Sequence, residues 1–557
     1  MAKRKRSGIR IMLELLGLLG KLKYIIIFAV CGGYLGNACA IAVMGLGACC
    51  VAKLVDPAFT SLSLSLLAAL TIAAGIARGL LRFLEQYNNH YIAFKLLAAL
   101  RDRIFGALRK LAPAKLEGRQ KGAIISMLTS DVETLEVFYA HTISPIMIAI
   151  LVDGTIVVLI SLLGALQLGL LALGAYLIIG IAIPFLSSAL LESDGVEYRR
   201  QFADSSSYFL DSVRGIREIV LSGGQEERGT ALNEQSSYMN ARTVSVKNKS
   251  AMVGALSNLM VSLAILSSTW LAIRLVISGQ LAVSHAIVSL VLLFSSFGPV
   301  LSLASLPANL TQTFASGDRI LDFMEEKPLV EENPTGKEFI FEELAIDHLS
   351  FSYEKTPVLR DVSLTIPRGS IIGLCGPSGC GKSTLLKLML RFYDPDKGAV
   401  RYNGTDLREI STASLHANVT MVSQDTWLFD DTILHNLTLV KPDATLAEVR
   451  EACRKASIDE FIMQQPNGYD TEVGLLGDSL SAGEKQRIGL ARAFLSGSPL
   501  ILLDEVTSNV DAINEGIILK SLKDAAGERT IVLVSHRPST VAICDRVYHI
   551  HGGQIID

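Results

Sequence analysis

Ser370-Ile-Ile-Gly-Leu-Cys-Gly376-Pro-Ser-Gly-Cys-Gly381-Lys382-Ser383-Thr384-Leu-Leu-Lys-Leu-Met-Leu390 runs from an apolar stretch through a glycine loop into a helical pattern. Strand, glycine loop and helix in that order are the context of a phosphate-binding loop. Gly376, Gly379 and Gly381 let backbone N–H groups close around phosphate oxygens, at a helix N-terminus whose dipole already favours anions. In such a loop Ser378, Lys382 and Thr384 belong to the phosphate cradle, with Lys382 meeting the β- and γ-phosphates, and Ser383 holds Mg²⁺.

A second segment, Leu500-Ile-Leu-Leu-Asp504-Glu505, has four apolar residues ending in two carboxylates. That is a buried strand with acids at its tip. Asp504 suits a Mg²⁺-linked role, and Glu505 suits polarising the water that attacks a γ-phosphate. Around both segments, short Val/Ile/Leu strands alternate with helical patterns, the mark of a soluble α/β domain.

Upstream the composition changes. Half of the 557 residues are hydrophobic and only 19% are charged; the mean hydropathy is +0.41, too apolar for a soluble chain of this length. Six apolar stretches, near 24–52, 61–84, 141–163, 167–190, 251–277 and 284–308, each supply the roughly 20 helical residues that cross a bilayer core. The connections near 53–60, 164–166 and 278–283 are short, whereas 85–140 and 191–250 are long, polar and helix-rich. The long ones lie on the side of the N-terminus, where five basic residues precede the first acid, Glu14. Arg101, Arg103, Arg109, Lys110, Lys115, Arg119 and Lys121 add positive charge there, as expected of a cytoplasmic side. Both termini are therefore expected inside. Residues 8–20, with leucines at 13, 15, 16, 18 and 19, read as an interfacial helix. The expected division is 1–23 for the N-terminus and elbow helix, 24–310 for the transmembrane domain, 311–340 for a linker and 341–557 for the nucleotide-binding domain. The net charge of −3 argues against nucleic acid as a partner. The eight cysteines show no metal-ligand spacing, and the four in the first apolar segment read as small packing residues.

Between the two chemical segments lies Leu480-Ser-Ala-Gly-Glu-Lys-Gln-Arg487. With it, residues 341–557 resemble the nucleotide-binding domain of ATP-binding cassette (ABC) transporters, whose signature is Leu-Ser-Gly-Gly-Gln. Other elements stand in the family's order. Tyr353 resembles the aromatic that stacks on adenine, and Gln424 the glutamine that contacts Mg²⁺ and water. Ser508-Asn-Val-Asp511 resembles the D-loop, and His536 the histidine that contacts the γ-phosphate. Thr471-Glu-Val-Gly474 resembles the X-loop of exporters, which touches cytoplasmic coupling helices; candidates for these are the turns at 111–122 and 209–222.

The resemblance implies a six-helix transmembrane domain of the ABC exporter type plus an α/β P-loop nucleotide-binding domain. It implies ATP and Mg²⁺ as cofactors, and ATP hydrolysis driving a small molecule across a bacterial inner membrane by alternating access. In this family the signature acts on ATP held by the opposite domain, so Ser481 and Gly483 would serve a second half-transporter chain. Ala482 and Glu484 depart from the usual glycine and glutamine. A methyl group and a negative charge near phosphate are expected to weaken closure there; glutamate does occur at that position in the family, so Ala482 is the more suggestive change, and its contrast with the intact Glu505 and His536 favours a heterodimer over a homodimer. Gly118-Arg-Gln-Lys-Gly122, followed by Thr129–Glu136 and Tyr139, gives a narrower resemblance to heterodimeric cysteine and glutathione exporters linked to cytochrome bd assembly.

Within the membrane region Asp153 is an ionisable residue and hence a functional candidate; a structural pair with Arg78 or Arg82 is the competing reading. Arg274 reads as a snorkelling residue. The alternatives to export are a nucleotide-gated regulatory or channel-like protein, and an importer built on the exporter fold. Glu505 and His536 favour hydrolysis.

Overall fold

The computed structural model describes residues 6–117, 119, 121–164, 166–304, 306–474, 477–508 and 510–556. Lys3, Arg4 and Lys5 of the basic N-terminus, Gly118 and Gln120 of the first long connection, and Asn509 of the D-loop lie outside them. The chain divides into two compact units, Met1–Lys110 with Arg119–Glu326, and Leu111–Gly118 with Lys327–Asp557.

The first unit is helical. α1 (Gly8–Gly17) starts at Ser7, whose hydroxyl accepts from Arg10 N. Its apolar face is buried at Ile11 and Leu15. Then come α2 (Lys23–Val55), α3 (Leu64–Leu111), α4 (Lys121–Ser126), α5 (Val132–His141), α6 (Ile143–Leu162), α7 (Leu166–Leu177), α8 (Ile183–Arg214), α9 (Ile216–Ser222), α10 (Gln225–Ile277), α11 (Val283–Ala304) and α12 (Leu306–Met324). π-helical turns join α4 to α5 at Met127–Asp131 and α7 to α8 at Ile178–Ala182.

Six helical stretches among the described residues are long and apolar enough to cross a membrane: Gly20–Val55, Leu64–Leu111, Gly122–Leu162, Leu166–Ser187, Gln225–Ile277 and Val283–Ala304. Each overlaps one of the six segments read from the sequence; 24–52 and 251–277 lie wholly inside their spans, and the other four run one to four residues past an end. The long polar connections prove to be extensions of the same helices. α3 has 48 residues and α10 has 53, or about 72 and 80 Å of helix at 1.5 Å per residue. Against a hydrocarbon core of about 30 Å, more than half of each helix lies beyond the apolar span.

α12 occupies the first half of the stretch read as a linker. It is helical because it has an apolar face to bury: Ile320, Leu321 and Phe323 are buried, and it packs against α1, α5 and α8. Arg6 ties its end to the elbow, reaching Asp318, Asp322 and Glu325 at 2.6–2.8 Å and Glu14 at 3.1 Å.

The second unit has two sheets. β1 (Glu343–Tyr353), β2 (Thr356–Pro367), β4 (Lys397–Tyr402) and β5 (Thr405–Asp406) form an antiparallel sheet in the order β2-β1-β4-β5. β3 (Ile371–Cys375), β6 (Val419–Val422), β7 (Leu500–Asp504), β8 (Thr530–Val534), β9 (Arg546–His551) and β10 (Gln554–Ile556) form the other, in the order β10-β9-β3-β8-β7-β6. The five strands from β9 to β6 run parallel. Their helices are α13 (Lys382–Met389), α14 (Thr412–Asn418), α15 (Ile433–Thr438), α16 (Leu446–Lys455), α17 (Asp459–Met463), α18 (Ala482–Ser496), α19 (Ala512–Ala525) and α20 (Pro538–Val541). β3, β7 and β8 are buried at every residue, which explains their uninterrupted apolar sequence.

Candidate functional site: a nucleotide-hydrolysing centre

Strand register builds the site. Leu374 of β3 pairs with Val534 of β8, Asp504 of β7 pairs with the same Val534, and Val422 of β6 pairs with Leu503. The C-terminal ends of four adjacent parallel strands therefore stop at one level, the usual ligand edge of such sheets. β3 continues into the glycine loop, β7 into Glu505, β8 into His536 and β6 into Gln424.

The loop closes only with glycine. Gly379 has φ +80° and Gly381 has φ +106°, where a side chain is strained. A Cβ on Gly381 would also lie 2.6 Å from Leu359 Cδ2. Lys382 is buried, and its Nζ donates to Gly376 O and Pro377 O, both at 2.9 Å. Ser378 stands on the same loop, and Thr384 Oγ1 donates to Tyr353 OH at 3.4 Å. The Tyr353 ring meets Phe351 edge-on at 5.0 Å and Tyr393 at 5.2 Å.

Ser383 Oγ donates to Asp504 Oδ1 at 3.1 Å. A hydroxyl and a buried carboxylate converging on one point are hard oxygen donors of the kind Mg²⁺ takes. Burial pushes the Asp504 carboxyl above its ordinary range, with neighbouring Glu505 adding to the shift and the Ser383 hydroxyl opposing it. Next to it, Glu505 sits at φ +52°, a left-handed conformation that costs a non-glycine residue and concentrates at functional sites. Its N–H donates to Val534 O at 3.1 Å. Gln424 Nε2 donates to Glu505 Oε2 at 3.4 Å, and His536 Nδ1 lies 3.8 Å from Glu505 Oε1. The residues read from sequence as base, switch and water contact thus meet around one carboxylate.

Ser481 and Gly483 belong to a different locale, the N-terminus of α18. Ser481 is its N-cap: the hydroxyl accepts from Glu484 N, and Ser481 N donates to the Glu484 carboxylate at 2.7 Å. This reciprocal pair was legible as Ser-x-x-Glu, but the sequence reading took Glu484 for a free charge near phosphate. The X-loop candidate hydrogen-bonds to the segment after Gln424, through Ile433 N to Thr471 O at 2.9 Å and Val473 N to Asp431 O at 3.1 Å.

Sequence reading also missed contacts in three places. Tyr393 OH donates to Glu117 Oε2 at 2.8 Å and approaches Ala114 O at 3.2 Å, while Lys387 of α13 pairs with Glu117 at 2.5 Å. Arg537 holds the D-loop through Ser508 O at 2.8 Å. Cys380 Sγ lies 3.7 Å from Lys382 Nζ. Only the coupling-turn candidate hinted at the first.

Residues 26–300 match the ABC transporter transmembrane region, and residues 359–508 match the ABC transporter family's ATP-binding portion. A Haemophilus influenzae protein described as a probable ABC transporter ATP-binding/permease protein is 42% identical over 99% of this chain and 100% of its own length. The chain belongs to the ABC transporter family. A fatty acid ABC transporter ATP-binding/permease protein of Mycobacterium bovis is 31% identical over 88% of this chain and 77% of its own. The structure of a bacterial Atm1-family ABC exporter with ATP bound matches with a TM-score of 0.86, covering 96% of this chain and 95% of that one at 24% identity. This ABC transporter is therefore a multi-pass membrane protein of exporter fold that binds ATP and couples its hydrolysis to transport. The nucleotide-gate reading falls away.

In the membrane unit, Asp153 is buried in α6, and its Oδ1 has no hydrogen-bond partner among the described residues. It pairs with neither arginine suggested for it: Arg82 instead meets Glu85 at 2.8 Å. Arg274 lies over the Trp270 ring at 5.2 Å.

Proposed function

We propose that this chain is one half of a dimeric exporter of a small molecule, with residue roles as follows. Glu505 polarises the attacking water, and His536 and Gln424 position the γ-phosphate and that water. Ser383, Asp504 and Gln424 hold Mg²⁺. Gly376, Ser378, Gly379, Gly381, Lys382, Ser383 and Thr384 cradle the phosphates, and Tyr353 stacks on the base. The convergence of Gln424, His536 and Asp504 on Glu505 carries this reading. Mg²⁺, when bound, screens charge on the phosphates; the chain's own part is to orient water and hold the phosphates still.

Ser481 and Gly483 act on ATP bound by a second chain, because their helix terminus is separate from the P-loop of their own chain. Ala482 favours a different chain over a second copy. The even number of spans and the basic long loops support a plasma-membrane protein with both termini in the cytoplasm. The segments 1–23, 24–310, 311–340 and 341–557 then serve as elbow, transmembrane domain, linker and cassette. The narrower resemblance of the first loop supports a small polar substrate, whereas the mycobacterial relative's name points to an acyl chain.

The assignment is tested by Glu505→Gln in the assembled complex reconstituted in lipid. ATP turnover is expected to fall at least about a hundredfold with ATP binding retained; unchanged turnover refutes the catalytic role. Purification of the tagged chain in mild detergent tests the partner: a stoichiometric homologous polypeptide supports the heterodimer, and an active self-dimer refutes it.

A further inference from the structure

Glu505 stands at φ +52°, and a closed ring of hydrogen bonds surrounds its backbone. Its N–H donates to Val534 O, and its carbonyl accepts from Ser508 N, both at 3.1 Å. Ser508 O in turn accepts from Arg537 Nη2 at 2.8 Å. Arg537 directly follows His536, and its own N–H donates to Ser535 Oγ at 3.1 Å. The ring therefore runs from Glu505 to Ser508, across to Arg537, and back along the chain to Val534. Its only link through a side chain is the guanidinium.

That guanidinium is itself fixed. Nη1 donates to Glu515 Oε2 at 2.6 Å and reaches Val510 O at 3.4 Å. Glu515 belongs to α19, the helix that follows the D-loop, and is 7% exposed. Its other oxygen accepts from Ser539 Oγ at 2.7 Å and Thr540 Oγ1 at 3.4 Å. A buried carboxylate with both oxygens taken is an anchor. One planar group thus holds the anchor on one arm and the D-loop carbonyl on the other, a grip that a lysine ammonium does not reproduce. From the far side, the buried Gln486 brings Nε2 to Ser508 Oγ at 3.4 Å.

The consequence falls on Glu505. A left-handed backbone costs a non-glycine residue and persists only where its surroundings over-determine it. Opening the ring at Arg537 frees Ser508, and with it the turn that closes on Glu505 O. The carboxylate then loses its fixed place 3.8 Å from His536 Nδ1. None of the hydrogen bonds of Arg537 or Glu515 goes to the phosphate loop, so nucleotide affinity does not depend on them.

We propose that Arg537, anchored by Glu515, is a positioning residue for ATP hydrolysis: it locks the D-loop to the segment bearing His536 and so holds Glu505 in its working conformation. The proposal rests on the hydrolytic roles given to Glu505 and His536.

The test uses the full chain with its co-purified partner in lipid nanodiscs. Arg537→Lys keeps a positive charge beside Glu515 but gives up the two-armed grip. Its kcat for ATP is expected to fall at least about tenfold, the worth of one hydrogen bond to a charged group. KM and equilibrium ATP affinity should stay within about twofold of wild type, and the melting temperature within about 2 °C. Glu515→Gln, which keeps an acceptor for Ser539 and weakens the anchor, should lose less. The Ser508 amide should exchange about tenfold faster in Arg537→Lys, with β7 and β8 unchanged. Because Arg537 acts through Glu505, adding Arg537→Lys to Glu505→Gln should leave the residual single-turnover rate where it was, whereas independent effects multiply.

The proposal is overturned if Arg537→Lys turns over like wild type, or if exchange at Ser508 is unaltered. It also falls if the two losses multiply, or if ATP affinity and melting temperature drop together with kcat, which would make Arg537 merely structural. Glu505→Gln measured alone separates the two readings. Unchanged turnover there removes the hydrolytic role itself, while a loss there beside an unaffected Arg537→Lys removes only the positioning role.

Discussion

Replacing Tyr393 by phenylalanine should loosen the segment at 111–117 from the cassette without disturbing the nucleotide site. The ring contacts to Phe351 at 5.4 Å and Tyr353 at 5.2 Å survive the change. What is lost is the hydroxyl that donates to Glu117 Oε2 at 2.8 Å. Burial and the Glu117 carboxylate hold the phenol above its ordinary value, so it is a donor throughout the neutral range. A hydrogen bond to a charged group is worth about 1.5–3 kcal/mol. The Glu117 side chain is 44% exposed, which pulls the figure to the lower end. About 1.4 kcal/mol is a factor of ten in the local opening equilibrium. The amides of Lys115, Leu116 and Glu117, which bond to Leu111 O and Pro113 O at 3.1 Å, report that opening. Hydrogen exchange of the full chain in nanodiscs should therefore speed up about tenfold at these amides, with β3 and β7 unchanged. Unaltered exchange at 115–117 would refute the reasoning; faster exchange throughout the cassette would mean a folding defect instead.

Three further outcomes follow from the cassette. Because Asp504 titrates above its unfolded value of about 3.9 owing to burial, its stabilisation is complete below that value and is lost as pH rises through the folded one. Asp504→Asn should then raise the melting temperature of nucleotide-free protein at pH 7.5 and change it little near pH 4; a lower melting temperature at pH 7.5 contradicts this. Arg492, lowered by burial to about 10, donates to Asn436 O, Asn436 Oδ1 and Trp427 O at 2.7–3.0 Å. Arg492→Met should lower the apparent melting temperature of the cassette by roughly 5–15 °C, and a shift under 2 °C (about 1 kcal/mol or less) would show the network to be dispensable. Gly381→Ala combines φ +106° with a contact at Leu359, so ATP affinity in equilibrium binding should drop at least about tenfold; wild-type affinity would mean that the loop tolerates a Cβ.

Features encoded by local pattern were legible, and features made by distant residues meeting were not. Six spans follow from length and apolarity alone, and the phosphate loop from glycines between a strand and a helix. Gln424, Glu505 and His536 were found by their order in the chain, but their meeting depends on β6, β7 and β8 ending at one level. Glu117 was one acid in a polar loop; its partners Lys387 and Tyr393 lie about 270 residues away. The sequence offered Arg78 or Arg82 as partners for Asp153, yet Glu85 is one turn from Arg82 on the same helix and takes it. Neighbours at i and i+3 are nearly certain to meet, whereas a pairing across two helices depends on rotation that hydropathy does not fix.

Glu484 changes meaning most between sequence and structure. A carboxylate beside a partner's phosphate should repel it, and on that basis Glu484 stood beside Ala482, as the less suggestive of the two departures, in the reading of a weakened site. Here the carboxylate is turned back onto Ser481 N at 2.7 Å, where the positive end of α18 offsets its charge. The same cap makes Ser481 Oγ an acceptor from Glu484 N, which leaves the hydroxyl proton pointing elsewhere and free to donate to a phosphate oxygen. Glutamate at this position therefore orients the serine instead of opposing its ligand. The case for two unequal sites then falls to Ala482 alone, whose methyl group stands at the first residue of the helix, where an incoming phosphate comes closest to the backbone.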